Sequence, residues 1–276
     1  MVVFPNAKIN VGLNVVEKRI DGFHNIETIF YPIPLCDILE FNKASDGIFV
    51  FENTGLKIDG ETEKNLVVKA FRLVQKDFML PEIKIHLHKI IPFGAGLGGG
   101  SSDASFMLKS LNDYFELRLT NQQLKNYAEM LGSDCPFFID NVPSFATGKG
   151  ECLTKIENFL NQKYLILVHP AIHVNTAMAY SGVKPNKTVN SLDELIHRPI
   201  VEWRNSITND FEASVFQRFP EIENIKNRLY GAGAIYVSMT GSGSAVFGIF
   251  ENEIRSSLTY NFSDKQSYFI WQGKLD

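Results

Sequence analysis

The sequence predicts an α+β protein of two domains, and three observations point there. Its 276 residues are enough for two ordinary cores. Runs with the two-residue period of strands mix with runs at helical spacing in both halves, without the steady alternation of a parallel α/β sheet. Near the middle lies FATGKGECLTKI (145–156), rich in glycine and charge, where we place the boundary. Residues 1–150 form the expected N-terminal domain and 151–276 the C-terminal one.

The elements follow in order. In AKINVGLNV (7–15), Ala7, Ile9, Val11, Leu13 and Val15 alternate with Lys8, Asn10, Gly12 and Asn14, which predicts a half-buried strand. DILEF and GIFVFE read as further strands, NLVVKAFRLVQKDF (65–78) as a helix, and EIKIHLHKI (82–90) as another alternating strand. Ala104, Met107, Leu108, Leu111 and Phe115 fall on one helical face, in a helix expected to begin near Ser101. In TNQQLKNYAEMLG, Thr120 and Gln123 make a capping-box pattern and Gly132 suits a helix stop. The short turn SDCPFFI follows. The second half opens with the apolar strand KYLILVHP, continues through helices at DFEASVFQRF and EIENIKNRL, and ends in strands around AIYVSMTGSGSAVFGIF and SYFIWQGKL.

Composition narrows the function classes. The chain is 45% hydrophobic and 21% charged, with a net charge of −4. No general basic field therefore draws it to nucleic acid or an anionic membrane, and any anion must be held locally. Cys36, Cys135 and Cys152 are widely spaced, which suits reduced thiols better than disulfides or zinc. No signal-peptide core and no eighteen-residue apolar run are found, so a cytoplasmic protein is expected.

The chemistry concentrates in PFGAGLGGGSSDAS (92–105), which follows a strand and opens a helix. Gly94, Gly96 and Gly99 satisfy GxGxxG, but a second helix at 120–131 stands where a dinucleotide-binding unit needs a strand. A Walker A loop needs GK[ST], and here Gly100 is followed by Ser101 and Ser102. A ligand-free glycine connection is the bland alternative. The remaining reading is a polyphosphate cradle: glycines let backbone N–H groups converge on oxygen, the helix contributes its positive end, and the serines add hydroxyls.

PFGAGLGGGSSDA resembles the signature loop of the GHMP kinases, which phosphorylate small alcohols. AKINVGLNV, RIDGFHNIETIF (19–30) and LGSDCPFFI (131–139) resemble, in order, further segments of the branch of that family acting on a cytidine-diphosphate-linked methylerythritol, in the non-mevalonate route to isoprenoid precursors, and TGSGSAVFGIF (240–250) resembles the third GHMP motif. The resemblance implies the two-domain GHMP fold, with an N-terminal domain like domain 2 of ribosomal protein S5 and a ferredoxin-like C-terminal domain. It also implies an active site in the cleft between them, ATP with Mg²⁺, and a small-molecule partner. No nucleic acid or membrane is implied, and the chain is expected as a monomer or weak homodimer. Rivals are a GHMP kinase for homoserine or mevalonate and a non-catalytic nucleotide-binding regulator on the same fold.

Carried over residue by residue, the resemblance makes Lys8 and Asp134 catalytic. It puts Asn65, Lys89, Pro92, Gly94, Gly96, Leu97, Gly98, Gly99, Gly100, Ser101 and Ser102 around ATP, with Ser101 or Ser102 as the magnesium ligand. It puts Asn10, Phe23, His24, Thr176, Tyr180, Gly241 and Ser242 around the acceptor, with Phe23 where the family usually has tyrosine. A phenyl ring still stacks on a pyrimidine but lacks the hydroxyl. Taken alone, several residues have plainer readings. Asp134, two before Pro136, fits a helix N-cap, and Lys8 fits a solvated strand residue. Asn65 fits a helix cap, Lys89 a strand-end charge, His24 a polar turn and Tyr180 a helix-face core residue. His86 and His88 form an HxH with no third ligand in recognisable spacing, so a solvated strand face is expected.

Overall fold

Three four-stranded sheets, with helices packed against them, carry the chain. The structure is a computed structural model and describes residues 1–186, 190–253 and 267–275. It divides into two compact units that interleave along the sequence. One comprises residues 1–7, 35–92 and 98–141; the other comprises 8–34, 93–97 and 142–276.

The first unit holds a sheet in the order Val2–Val3, Ile38–Lys43, Ile83–Lys89, Val50–Gly55, antiparallel except for the last pair. In Ile83–Lys89 the expected alternation holds: Ile83, Ile85 and Leu87 are buried, while Lys84, His86 and His88 face outward with Thr54 bridging the two imidazoles. Among the described residues no three His, Cys, Asp or Glu side chains are grouped to hold a metal. The helices Leu66–Phe78, Gly99–Tyr114, Asn121–Glu129 and Cys135–Asp140 share a core with this sheet, including Phe41, Phe71, Ile85, Met107 and Leu111. Each such side chain, fully buried, is worth about 1.5–3 kcal/mol before conformational entropy is set against it. Both halves of the Thr120–Gln123 capping box form.

The second unit holds two sheets. One runs Asn6–Lys18, His24–Cys36, Ser144–Thr147, Cys152–Lys155, its first two strands entering from or leaving to the first unit. The other, all antiparallel, runs Tyr236–Met239, Val246–Phe250, Tyr164–His169, Phe269–Lys274, with Glu212–Arg218 and Pro220–Gly231 helical nearby. Leu13, Val15 and Ile26 of the first sheet join Ile166, Val168, Val237 and Val246 of the second, and Ile222, Ile225 and Leu229 of the long helix, in one core. No helix among the described residues is long and apolar enough to cross a membrane.

One expectation needs correcting. The strand Asn6–Lys18 is not half-buried: every residue from Asn6 to Val15 is buried, the polar face included. Lys8, Asn10 and Asn14 are only 2–3% exposed. A polar face goes inside only where partners replace water, and those partners build the site.

Candidate active site

The glycine loop works through its backbone. Gly94, Gly96 and Gly98 all have φ between +61° and +79°, the left-handed region that glycine enters without strain. At Gly96 space matters as well, since a Cβ there would lie 2.0 Å from the Thr240 carbonyl oxygen. Gly98 is the N-cap of the helix Gly99–Tyr114, which begins two residues earlier than expected and has no side-chain cap. The first bond of that helix runs from the Ser102 amide to the Gly98 carbonyl, 2.9 Å. The amides of Gly99, Gly100 and Ser101 thus precede the intrahelical ladder, where a helix offers donors and partial positive charge to an anion. Ser102 is fully buried, and its Oγ has no hydrogen-bond partner. Pro92 and Leu97 are buried, and Leu97 accepts the Lys8 amide at 3.0 Å.

In the first unit, Lys89 turns out to be a buried ion rather than a strand-end charge in water. Its side chain is 1% exposed, and its ammonium donates to Asp37 and, at 2.7 Å, to Asp103. The other oxygen of Asp37 accepts the Ile90 and Ile91 amides at 2.5 and 2.8 Å. One carboxylate therefore holds the chain where the strand ends, and one ammonium ties that point to the second turn of the following helix. Burial raises the Asp103 carboxyl above the usual carboxylate range, with the Lys89 ammonium pulling the other way. Asn65 caps the helix Leu66–Phe78 by accepting the Val67 amide at 2.9 Å.

Asp134 occupies the N-cap position of Cys135–Asp140, but its side chain makes no capping hydrogen bond, so the plain cap reading fails. The turn is fastened to the loop helix from beside it: Ser105 Oγ lies 2.8 Å from both the Ser101 and Cys135 carbonyl oxygens. Burial pushes the Cys135 thiol up to about 11, so it stays protonated and is no nucleophile.

In the second unit Lys8 is 3% exposed rather than solvated. Its ammonium donates to Asn10 Oδ1 at 2.6 Å and to the Gly96 carbonyl at 2.9 Å, and stands 5.0 Å from the centre of the Phe30 ring. Asn10 Nδ2 donates to Thr28 Oγ1 at 2.9 Å, and the Asn10 amide donates to Thr240 Oγ1 at 2.9 Å. Asn209 braces the last glycine turn, its Nδ2 donating to the carbonyls of Met239 and Gly241, both at 2.8 Å. Thr176 and Ser242 meet through their hydroxyls at 3.1 Å. The rings of His24 and Tyr180 stack on each other, 4.7 Å apart and 18° from parallel, while Phe23 is 58% exposed with the Lys149 ammonium 5.0 Å from its centre.

The second unit thus gathers Lys8, Asn10, Gly96 and Gly241, and the pairs His24–Tyr180 and Thr176–Ser242. The first gathers Lys89 with the helix start at Gly99 (whose Cβ position is 3.0 Å from the Lys89 Nζ) and places Asn65 and Asp134 on its helix N-termini. Sequence reading passed over Thr28, Thr240, Asp37 and Asp103. Thr28, Asp103 and Thr240 lie inside the motifs above and Asp37 opens the strand segment DILEF, so a polar residue in such a stretch was the available signal.

Residues 65–149 match the family described as GHMP kinases N terminal domain, and 191–263 match GHMP kinases C terminal. A Bacteroides fragilis protein named 4-diphosphocytidyl-2-C-methyl-D-erythritol kinase is 53% identical over 255 residues, 92% of this chain and 93% of the relative. One of the same name from Parabacteroides distasonis is 51% identical over the full length of both chains. A crystal structure of 4-(cytidine 5'-diphospho)-2C-methyl-D-erythritol kinase superposes with a TM-score of 0.82 at 29% identity, covering 99% of this chain and 98% of that one.

Proposed function

The chain belongs to the GHMP kinases, and on that premise we propose that it transfers the γ-phosphoryl group of ATP to the 2-hydroxyl of 4-diphosphocytidyl-2-C-methyl-D-erythritol. The single observation that carries the acceptor is the full-length likeness, at about half identity, to relatives bearing that kinase's name. The division into an N-terminal ATP-binding domain, 1–150, and a C-terminal GHMP domain, 151–276, belongs to the same reading, and the two family matches on either side of residue 150 support it.

The hydroxyl oxygen attacks the γ-phosphorus as the bond to the bridging oxygen breaks and ADP departs. An alcohol is a poor nucleophile at neutral pH, so its proton must go to an acceptor as attack proceeds. Asp134, at the head of the helix Cys135–Asp140, takes that role. Phosphoryl transfer otherwise asks for positioning and charge stabilisation. The Lys8 ammonium meets the charge spreading over the phosphoryl oxygens, and the amides of Gly99, Gly100 and Ser101 receive the phosphate chain. Lys89, clasped by two carboxylates, serves the nucleotide through the loop it ties rather than by touching it. The partnerless Ser102 hydroxyl, with Ser101 beside it, fits a Mg²⁺ ion carried in on the phosphates, where the ion would neutralise charge on the β- and γ-oxygens. His24, Tyr180 and Phe23 hold the cytosine, Thr176 and Ser242 the diphosphate or polyol, and Asn65 the adenosine. The chain works in the cytoplasm as a monomer or weak dimer.

Incubation of the purified chain with MgATP and the CDP-linked acceptor, homoserine or mevalonate in parallel tests the reading. Turnover of the CDP compound alone is expected. Turnover of homoserine or mevalonate without it would overturn the acceptor assignment, and ATP binding with no turnover of any acceptor would favour a nucleotide-binding regulator.

A further inference from the structure

We propose that Thr28 is a positioning residue for phosphoryl transfer: its hydroxyl fixes which end of the Asn10 amide faces Lys8. The proposal rests on the reading of Lys8 as catalytic, and the argument is one of hydrogen-bond polarity.

Thr28 is fully buried on the strand His24–Cys36, and its Oγ1 lies 2.6 Å from the Gly12 carbonyl oxygen. A carbonyl only accepts, so the single hydroxyl proton of Thr28 is committed there. Toward Asn10, 2.9 Å away, Thr28 can then only accept, and the group facing it must be the Asn10 NH2. The Asn10 carbonyl oxygen is thereby turned to the Lys8 ammonium, a group that only donates, at 2.6 Å. A reversed amide would set NH2 against the ammonium and oxygen against oxygen at Thr28. Thr240 holds the same residue from behind: its Oγ1 accepts the Asn10 backbone N–H at 2.9 Å and can donate its proton to Asn10 Oδ1 at 3.3 Å or the Gly96 carbonyl at 3.1 Å. Asn10 is 2% and Lys8 3% exposed, so bulk water does not supply the missing partner. The orientation of the lysine is set from Gly12 outward, through a hydroxyl and an amide, with no formal charge along the relay. Asn10 acts on the lysine as well as on any substrate.

Thr28→Val keeps the shape and removes the proton; Thr28→Ser keeps the hydroxyl. In Thr28→Val we expect kcat with the CDP-linked acceptor to fall about 10- to 100-fold, the equivalent of one buried hydrogen bond to a charged group. KM for ATP should stay within about twofold, because neither Thr28 nor Asn10 is placed against the nucleotide and the Lys8 contact counts mainly as charge spreads during transfer. Thr28→Ser should restore kcat. By NMR, the Asn10 side-chain NH2 should be protected from solvent exchange in the parent and lose that protection in Thr28→Val. Parental turnover in Thr28→Val, or Thr28→Ser as slow as Thr28→Val, would overturn the proposal. Should Thr28→Val not fold, Thr28→Ala removes the same hydroxyl without a new methyl and is read in the same way. If the parent itself phosphorylates no acceptor, the functional reading has failed. The amide signal then decides this one alone: unchanged protection without the hydroxyl overturns it, and lost protection upholds it.

Discussion

Among the described residues two lysines lie buried, each with its own set of partners. Lys89, in the first unit, is enclosed by the carboxylates of Asp37 and Asp103, all three side chains 0–3% exposed. Lys8, in the second, is held by the amide oxygen of Asn10 and the backbone oxygen of Gly96. A buried ammonium given carboxylates is tied into the framework, and removing it strands their charge. The Asn10 and Gly96 oxygens, by contrast, fix where the Lys8 ammonium sits. The family resemblance makes Lys8 catalytic and puts Lys89 around ATP.

Several substitutions sharpen that contrast. The largest effect belongs to Asp134→Ala: kcat should fall about 10²- to 10⁴-fold, as for loss of a general base, with ATP affinity largely kept in a titration with labelled nucleotide. Undiminished turnover would remove Asp134 from the mechanism. Asp37→Asn leaves Lys89 with one fewer charged partner and weakens the hold on the Ile90 and Ile91 amides, so chemical denaturation should show a loss of about 2–4 kcal/mol. A parental midpoint would show that the cluster fastens nothing.

A pH experiment probes the second unit. Burial pushes the His169 imidazole down to about 4. Its folded pKa lies below the unfolded value of 6.5, so the unfolded chain takes up the proton first as acid is added. The stabilisation is whole above about 6.5, shrinks between about 6.5 and about 4, and is on the order of 2–3 kcal/mol. Thermal unfolding of the parent should weaken across that window, and His169→Gln should flatten the slope. Equal slopes would place the acid sensitivity elsewhere. The smallest effect is kinetic: His24→Ala should raise KM for the CDP-linked acceptor about tenfold, with KM for ATP within about twofold. Equal rises would count against a cytosine-reading histidine.

Local pattern made the elements legible. The period of two found Asn6–Lys18 and Ile83–Lys89, helical spacing found Leu66–Phe78, and the Thr120–Gln123 box marked its helix start. The glycine loop was legible as a cradle because its amides and left-handed turns are local. Distance hid the rest. The polar face of Asn6–Lys18 looked solvated because its partners lie 18 residues away at Thr28, 88 at Gly96 and 230 at Thr240. Asp37 read as the first residue of a strand, yet the strand begins at Ile38, and the carboxylate serves amides more than fifty residues on. Asp134 read alone as a cap because spacing cannot show where a side chain turns.

Lys8→Met and Lys89→Met, each measured for kcat and for unfolding free energy, test the contrast most directly. The account predicts a crossed result. Lys8→Met should lose about 10²- to 10³-fold in kcat with a stability change of no more than about 1–2 kcal/mol. Lys89→Met should lose about 3–5 kcal/mol of stability, and whatever folded enzyme remains should turn over far faster than Lys8→Met. A Lys8→Met protein that turns over normally, or a Lys89→Met protein as stable as its parent, would contradict it.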